Sequence, residues 1–319
     1  MFIDPIINNS TPAQPLSFRH LLSSKQILES DINKIFSCAE IYRRNSKIVH
    51  KSCQDLIMAS LFFEPSTRTR FSFESAMLKL GGKIISLEGK ESSSLKKGET
   101  LSDTGRMMNN YADIIVMRHF LEGSVAEFSK FVDVPVINAG DGANEHPTQC
   151  LVDLYTIFVE MGRLTNLKIA ILGDLKHARA FHSFLNVITK YSGNKLTLIS
   201  PPSLRLESDF KNQLAKNGAV MIESTAISES IQDVDILYVS RIQKERFENV
   251  DEYENIKNSY FIDKKIIQNA HPNLKIMHAL PRINEIAEEV DFMPQAIYFR
   301  QAQLAVYLRM ALLSLMVNS

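Results

Sequence analysis

The segment Phe62-Phe63-Glu64-Pro65-Ser66-Thr67-Arg68-Thr69-Arg70-Phe71 sets one serine, two threonines and two arginines between an apolar run and a helical one. The first backbone N–H groups of a helix lack intrahelical partners, and the dipole end there is positive. Hydroxyls and a guanidinium added at that point make a cradle for a phosphate. The plainer reading is a capped helix with its arginines in water. Such a run of polar donors after a buried strand exceeds what capping needs. Neither a Gly-Lys-Ser/Thr loop nor a GxGxxG turn is present, so the nucleotide-binding loops built on them are excluded.

A second segment, Gly140-Asp141-Gly142-Ala143-Asn144-Glu145-His146-Pro147-Thr148-Gln149, reads as a loop entering a helix at Pro147. His146 and Gln149 would then face one cavity, and an imidazole there can donate to a carbonyl oxygen that gains charge. A cap histidine already satisfied by its neighbours is the competing reading. Cys150 lies four residues beyond His146, but inside an apolar helix it reads as core rather than nucleophile. Further polar residues follow apolar runs that read as strands: Arg118 and His119, Arg179, Arg241 with Gln243, and Leu280-Pro281-Arg282. Ligands of open parallel sheets bind beyond the carboxyl ends of strands. Any one of these arginines alone would pass as surface charge. The loop Ser92-Ser93-Ser94-Leu95-Lys96-Lys97-Gly98 carries two lysines that could close over an anion.

Strands are expected at 56–63, 83–87, 112–117, 134–138, 167–172, 195–199, 234–239 and 275–278. Helices are expected at 17–45, 66–80, 148–161, 178–191, 209–217 and 303–317. The alternation implies α/β architecture, two doubly wound parallel-sheet domains joined by helices. The chain length of 319 residues suits two domains. Lys plus Arg number 36 and Asp plus Glu number 36, so the bulk positive charge that drives non-specific nucleic-acid binding is missing. Anion sites must come from local clustering. Three widely spaced cysteines argue against a disulfide framework or a zinc site. No apolar run reaches the ~18 residues of a membrane span, and the first residues lack a signal-peptide pattern. A cytoplasmic location is the expectation.

Taken together, Ser66-Thr67-Arg68-Thr69-Arg70, Met117-Arg118-His119, His146-Pro147-Thr148-Gln149 and His278-Ala279-Leu280-Pro281 resemble the signature set of the carbamoyltransferases. The resemblance runs from about residue 17 to the last helix. Lys96-Lys97-Gly98-Glu99-Thr100, Gly173-Asp174-Leu175-Lys176 with Arg179, and Arg241-Ile242-Gln243 are similar to the family's aspartate branch. The ornithine branch usually has cysteines in place of Thr148 and Ala279, and neither is present. Glu145, Ala279 and Leu304-Ala305 depart from the usual pattern.

The resemblance implies transfer of a carbamoyl group from carbamoyl phosphate to the amine of L-aspartate. It implies a carbamoyl phosphate domain over 1–147, with the last helix (303–319) packing back on it, and an aspartate domain over 148–302. By residue-for-residue match, Ser66, Thr67, Arg68 and Thr69 would hold the phosphate. Thr69, Arg118 and His146 would donate to the carbamoyl oxygen. Gln149 and the carbonyls of Leu280 and Pro281 would accept from its NH2. Arg179, Arg241 and Gln243, with Lys97, would bind aspartate. It further implies no metal or organic cofactor, and a homotrimer in which Ser93 and Lys97 enter a neighbour's site, with regulatory chains a further possibility. The rival readings are a carbamoyltransferase for another amine such as ornithine, and a non-catalytic anion-binding relative.

Overall fold

The computed structural model describes residues 15–47, 50–89, 97–242, 253, 256 and 260–318. Two parallel sheets carry the chain. The first holds β1 (Ile57–Phe62), β2 (Lys83–Glu88), β3 (Ile114–His119) and β4 (Val136–Asp141) in the order β2-β1-β3-β4. The second holds β5 (Lys168–Leu172), β6 (Lys195–Ile199), β7 (Val220–Ser224), β8 (Ile236–Val239) and β9 (Lys275–His278) in the order β7-β6-β5-β8-β9. Central strands are continuous apolar runs because helices cover both faces, so there is no solvent side to alternate with.

In each sheet the chain moves outward from a central strand and then reverses across it. β1 lies between β2 and β3, and β5 between β6 and β8. Such a reversal opens a crevice at the carboxyl ends of the paired strands. The segments holding Ser66, Arg118, Arg179 and Arg241 all leave from those two crevices.

The helices are α1 (Glu29–Arg44), α2 (Thr67–Lys79), α3 (Leu101–Met108), α4 (Ser124–Ser129), α5 (Pro147–Met161), α6 (Arg179–Ile188), α7 (Ser208–Lys216), α8 (Ile227–Ser230), α9 (Lys264–Gln268) and α10 (Tyr298–Val317). Helix α5 connects the sheets and is apolar nearly all round. Leu151, Val152, Leu154, Tyr155 and Ile157 are all buried, as expected of a helix with neighbours on every side. It packs on α6 and α10 and stops at Gly162, which adopts φ +70°. α10 returns to the first half of the chain and packs on α1 and α2 as well as α5. One core therefore runs from Met58, Val116 and Ile137 through α5 and α10 to Ile169, Ile171 and Leu196.

Several expected boundaries move. The helix expected from Ser17 begins at Glu29. A 3-10 turn (Ser24–Gln26) precedes it, started by a reciprocal cap between Ser23 and Gln26. Asp31 is buried and takes the N–H groups of Ser17 and Leu28, which holds the preceding segment off the helix axis. The last helix starts at Tyr298 rather than Gln303. β7, a five-residue edge strand with Val220 and Ile222 exposed, escaped the sequence reading. Helices α3 and α4 are too short to show a period in the sequence.

Candidate active site

Between the two crevices lies a cavity of about 790 Å³. Ser66, Thr67, Arg68, Thr69, Arg118, His146, Gln149, Arg179, Arg241, Leu280 and Pro281 all line it. They come from the ends of β1, β3, β4, β5, β8 and β9, six strands in two sheets. Lys97 is exposed and is not part of this lining. Ser93 and Gln243 lie outside the described residues.

The turn after β1 separates its two arginines. Ser66 precedes α2 but its side chain makes no cap hydrogen bond, so capping does not explain the serine. Thr69 is buried and Arg68 opens to the cavity, where partial burial lowers its pKa. Arg70 faces away. It pairs with Glu88 and Glu74 and lies over the Phe71 ring.

Arg118 is aimed by its strand. The β3–β4 register shifts between Met117 and His119, and such a bulge turns a side chain out of the regular alternation. Its Nη2 donates to Glu64 Oε1 at 2.8 Å, and Arg179 Nη2 reaches the same oxygen at 3.4 Å. Arg179 Nη1 also donates to the Gly142 carbonyl. Gly140 makes this crowding possible. It adopts φ +118°, and a Cβ there would sit 3.3 Å from Arg118 Nη1 and 3.5 Å from the Arg179 guanidinium. Burial, with Arg179 next to it, brings the Arg118 pKa down to about 10, partly opposed by Glu64. The group stays cationic at neutral pH. Its Nε is buried without a hydrogen-bond partner.

His146 is the N-cap residue of α5, and Pro147 opens the helix. Its backbone N–H donates to Ser183 Oγ at 3.0 Å, and its Nδ1 lies 3.4 Å from Thr148 Oγ1. Burial first, and then Arg118, Arg179 and Arg309, hold its pKa well below the ordinary histidine value. The ring is neutral at pH 7, and a neutral imidazole donates without competing for charge.

This shift has a stability consequence. The unfolded chain protonates this histidine near pH 6.5 while the folded chain does not. Below that pH the unfolded state binds more protons, so stability falls as pH falls. On going from pH 7.5 to 5.5 the wild type is expected to lose more stability than His146→Gln, by up to about 1.4 kcal/mol. Denaturant unfolding of both proteins at the two pH values measures it. Equal pH dependence would show that the ring is not held neutral.

Residues that the sequence left unassigned complete the wall, as Arg309 and Glu64 do, or lie behind it, as Asp153 does. Arg309, on α10, is buried, donates to Ser72 Oγ and stacks over Phe73. Burial brings its pKa down to about 9. Asp153, one turn beyond Gln149, is fully buried, and its pKa is pushed up to about 7 by burial despite three hydrogen bonds to its carboxylate. Glu64 ties Arg118 to Arg179. A lone charge inside an apolar helical run, as at Asp153 and Arg309, was the available sequence signal.

Glu145, one of the departures, is buried. It accepts from Ser23 Oγ, the Ser24 N–H and hydroxyl, and Ser183 Oγ, all within 3.1 Å. Four donors compensate the desolvated carboxylate. Since Ser183 also receives the His146 N–H, Glu145 helps seat the histidine. Cys150 is buried, and its thiol pKa is raised by burial with Asp153 and Glu145 nearby. That removes the thiolate a nucleophile needs.

Two family models match the chain. The carbamoyl-P binding domain of aspartate/ornithine carbamoyltransferase matches residues 19–158, and the Asp/Orn binding domain of the same family matches residues 165–316. The aspartate carbamoyltransferase catalytic subunit of Clostridium perfringens is 46% identical over 300 residues, covering 94% of this chain and 98% of its own. That of Alkaliphilus oremlandii is 43% identical over 306 residues, 96% of this chain and 92% of its own. Among solved structures, the catalytic subunit of M. jannaschii aspartate transcarbamoylase superposes with a TM-score of 0.88 at 43% identity, covering 93% of this chain and 97% of that one. The Trypanosoma cruzi aspartate transcarbamoylase in complex with N-(phosphonacetyl)-L-aspartic acid gives 0.87 at 36% identity, covering 92% and 94%. With both family models matched in order along one chain, this protein belongs to the aspartate/ornithine carbamoyltransferase family.

Proposed function

We infer that the protein is an aspartate carbamoyltransferase. It transfers the carbamoyl group of carbamoyl phosphate to the amine of L-aspartate, giving N-carbamoyl-L-aspartate and phosphate, an early step in making pyrimidines. The observation that carries this reading is the convergence of Arg68, Arg118, Arg179 and Arg241 on one cavity. Both substrates are multiply anionic, and a chain of zero formal charge meets them by concentrating cations.

In this mechanism Ser66, Thr67, Arg68 and Thr69 bind the phosphate at the start of α2. Thr69, Arg118 and His146 donate to the carbamoyl oxygen. Gln149 and the carbonyls of Leu280 and Pro281 accept from the NH2. Arg179, Arg241 and Gln243 bind the aspartate carboxylates, since a planar guanidinium pairs with a carboxylate through two parallel bonds. The amine attacks the carbamoyl carbon, and negative charge grows on its oxygen, where preset donors stabilise the transition state more than the ground state. The bond from carbon to the phosphate oxygen then breaks, and the amine proton leaves with the phosphate. Residues 1–147 with 303–319 form the carbamoyl phosphate domain and 148–302 the aspartate domain.

An acceptor with a cationic side chain, such as ornithine, would place its amine among arginines. Purified protein given carbamoyl phosphate with aspartate or ornithine in parallel decides the acceptor. Carbamoylated aspartate is expected, and turnover with ornithine alone would reverse the assignment.

The active unit is a homotrimer in the cytoplasm, with Ser93 and Lys97 reaching a neighbour's cavity. No helix among the described residues is long and apolar enough to cross a membrane. In support of the trimer, Phe71, Leu78 and Ile85 are exposed on α2 and the edge strand β2. The segment bearing Lys97 also follows that strand. Mixing Lys97→Ala chains with Arg68→Ala chains is expected to recover activity that neither has alone. No recovery in verified mixed trimers would refute shared sites. Regulatory chains, if they bind, would join this trimer in a larger assembly.

A further inference from the structure

Gln149 and the Leu280 carbonyl, which would accept from the carbamoyl NH2, come from opposite halves of the chain. Buried hydrogen bonds join them beneath the cavity. Gln149 Nε2 and Gln301 Nε2 both donate to Asp153 Oδ1 at 2.7 Å, and Tyr238 OH donates to Oδ2 at 2.7 Å. Gln301 Oε1 accepts the His278 N–H at 3.0 Å, and His278 Nδ1 accepts the Leu280 N–H at 2.7 Å. Asp153, Gln301, Tyr238 and His278 are all buried.

The direction of each amide follows from its partners. A backbone N–H can only donate, so Gln301 must turn its oxygen to His278 and its NH2 to Asp153. The same Asp153 oxygen that receives that NH2 also accepts from Gln149, whose NH2 therefore turns inward. Its oxygen is left for the cavity. At the other end, His278 Nδ1 must be unprotonated to accept from Leu280, and its Nε2 carries the proton toward Glu285 Oε1 at 2.7 Å. The Leu280 N–H is thereby satisfied, and the residue is held at the cavity wall.

We propose that Asp153 and Gln301 are positioning residues that select an acyl donor bearing an NH2 group. They fix Gln149 and Leu280 as hydrogen-bond acceptors from two sides. A carbamoyl NH2 satisfies both, whereas a methyl in the same place leaves both desolvated and unpaired. Sites of this kind reject the analogue lacking the donor much more strongly than apolar pockets reject a size change. The inference rests on the proposed roles of Gln149 and Leu280.

The test compares carbamoyl phosphate with acetyl phosphate, which carries the methyl, at saturating L-aspartate in the intact enzyme. Phosphate release gives kcat/KM for each donor. Intrinsic reactivity of the two donors cancels when a variant's ratio is divided by that of the wild type. Asp153→Leu frees Gln149 to turn, and is expected to lower the carbamoyl preference about 10–100-fold, almost wholly through the carbamoyl donor. Gln301→Met cuts the link to His278 and should lower it about tenfold. Asp153→Asn keeps Oδ1 as acceptor and can donate to the Tyr238 oxygen, so it should rescue the ratio to within about threefold of wild type. Equal losses on both donors in Asp153→Leu and Gln301→Met would reduce the cluster to a packing role and overturn the proposal. If Asp153→Leu does not fold, Gln301→Met alone decides. A wild type that makes no carbamoyl aspartate overturns this proposal together with the functional reading, whereas normal turnover with unchanged ratios overturns this proposal only.

Discussion

Arg118→Met is expected to lower kcat by about 10²–10³, or about 3–4 kcal/mol in barrier, with a much smaller change in KM for carbamoyl phosphate. Methionine keeps the aliphatic length and removes only the donors. The cost falls on kcat because, in the proposed mechanism, the oxygen Arg118 donates to carries most of its charge in the transition state. Low local polarity adds to the effect, since the guanidinium is largely buried and its charge is little screened. The fold should tolerate the change. Glu64, the partner left behind, is 30% exposed at its side chain and keeps Arg179 at 3.4 Å. Steady-state kinetics with both substrates varied, beside a denaturation curve, separates the two effects. A loss confined to KM would remove Arg118 from the carbamoyl oxygen.

Arg179→Met is expected to act on the other substrate, lowering kcat/KM for aspartate by about 10²–10³ through loss of two charge-assisted hydrogen bonds at about 1.5–3 kcal/mol each, offset by relief of crowding. Arg179 opens α6 in the second sheet's half, yet donates to the Gly142 carbonyl and reaches Glu64 in the first. It stands where a molecule bound between the two halves must pass. Carbamoyl phosphate binding, read by protection against thermal unfolding, should stay within about threefold of wild type because the proposed mechanism assigns that donor to other residues. An equal loss of both substrates would mean that Arg179 holds the halves together rather than the acceptor.

The two predictions divide along the two sheets, and the division comes from topology. Each sheet reverses direction beside a central strand, and each reversal contributes one group of arginines. Glu64 lies where the groups meet. By accepting from Arg118 and Arg179 together, it lets two like charges share a wall that would otherwise repel them.

Much of this was legible in residue order. Donors clustered after apolar runs marked strand ends, and the order of strands and helices implied parallel sheets. The 148–161 segment read as an amphipathic helix bridging the two halves; it does connect the sheets, but neighbours on every side bury it nearly all round. Boundaries were read less well where a long-range contact set them. Asp31 reaches back to Ser17, and the cap between Ser23 and Gln26 starts a separate turn. No local pattern in 17–45 announces either. The edge strand β7 was missed although β2, an edge strand just as exposed, was read.

By itself the sequence determined which chemical groups the protein owns and the local elements on which they ride, because backbone conformation and capping depend on near neighbours. The tertiary structure alone decided that Arg68 opens to the cavity while Arg70 turns to Glu74 and Glu88. It alone made the His146 ring neutral and turned Asp153 and Gln301 into a buried relay. Those properties depend on desolvation and on partners far away in the chain, such as Arg309, 163 residues beyond His146. Electrostatic energy depends on distance and surroundings rather than on sequence separation.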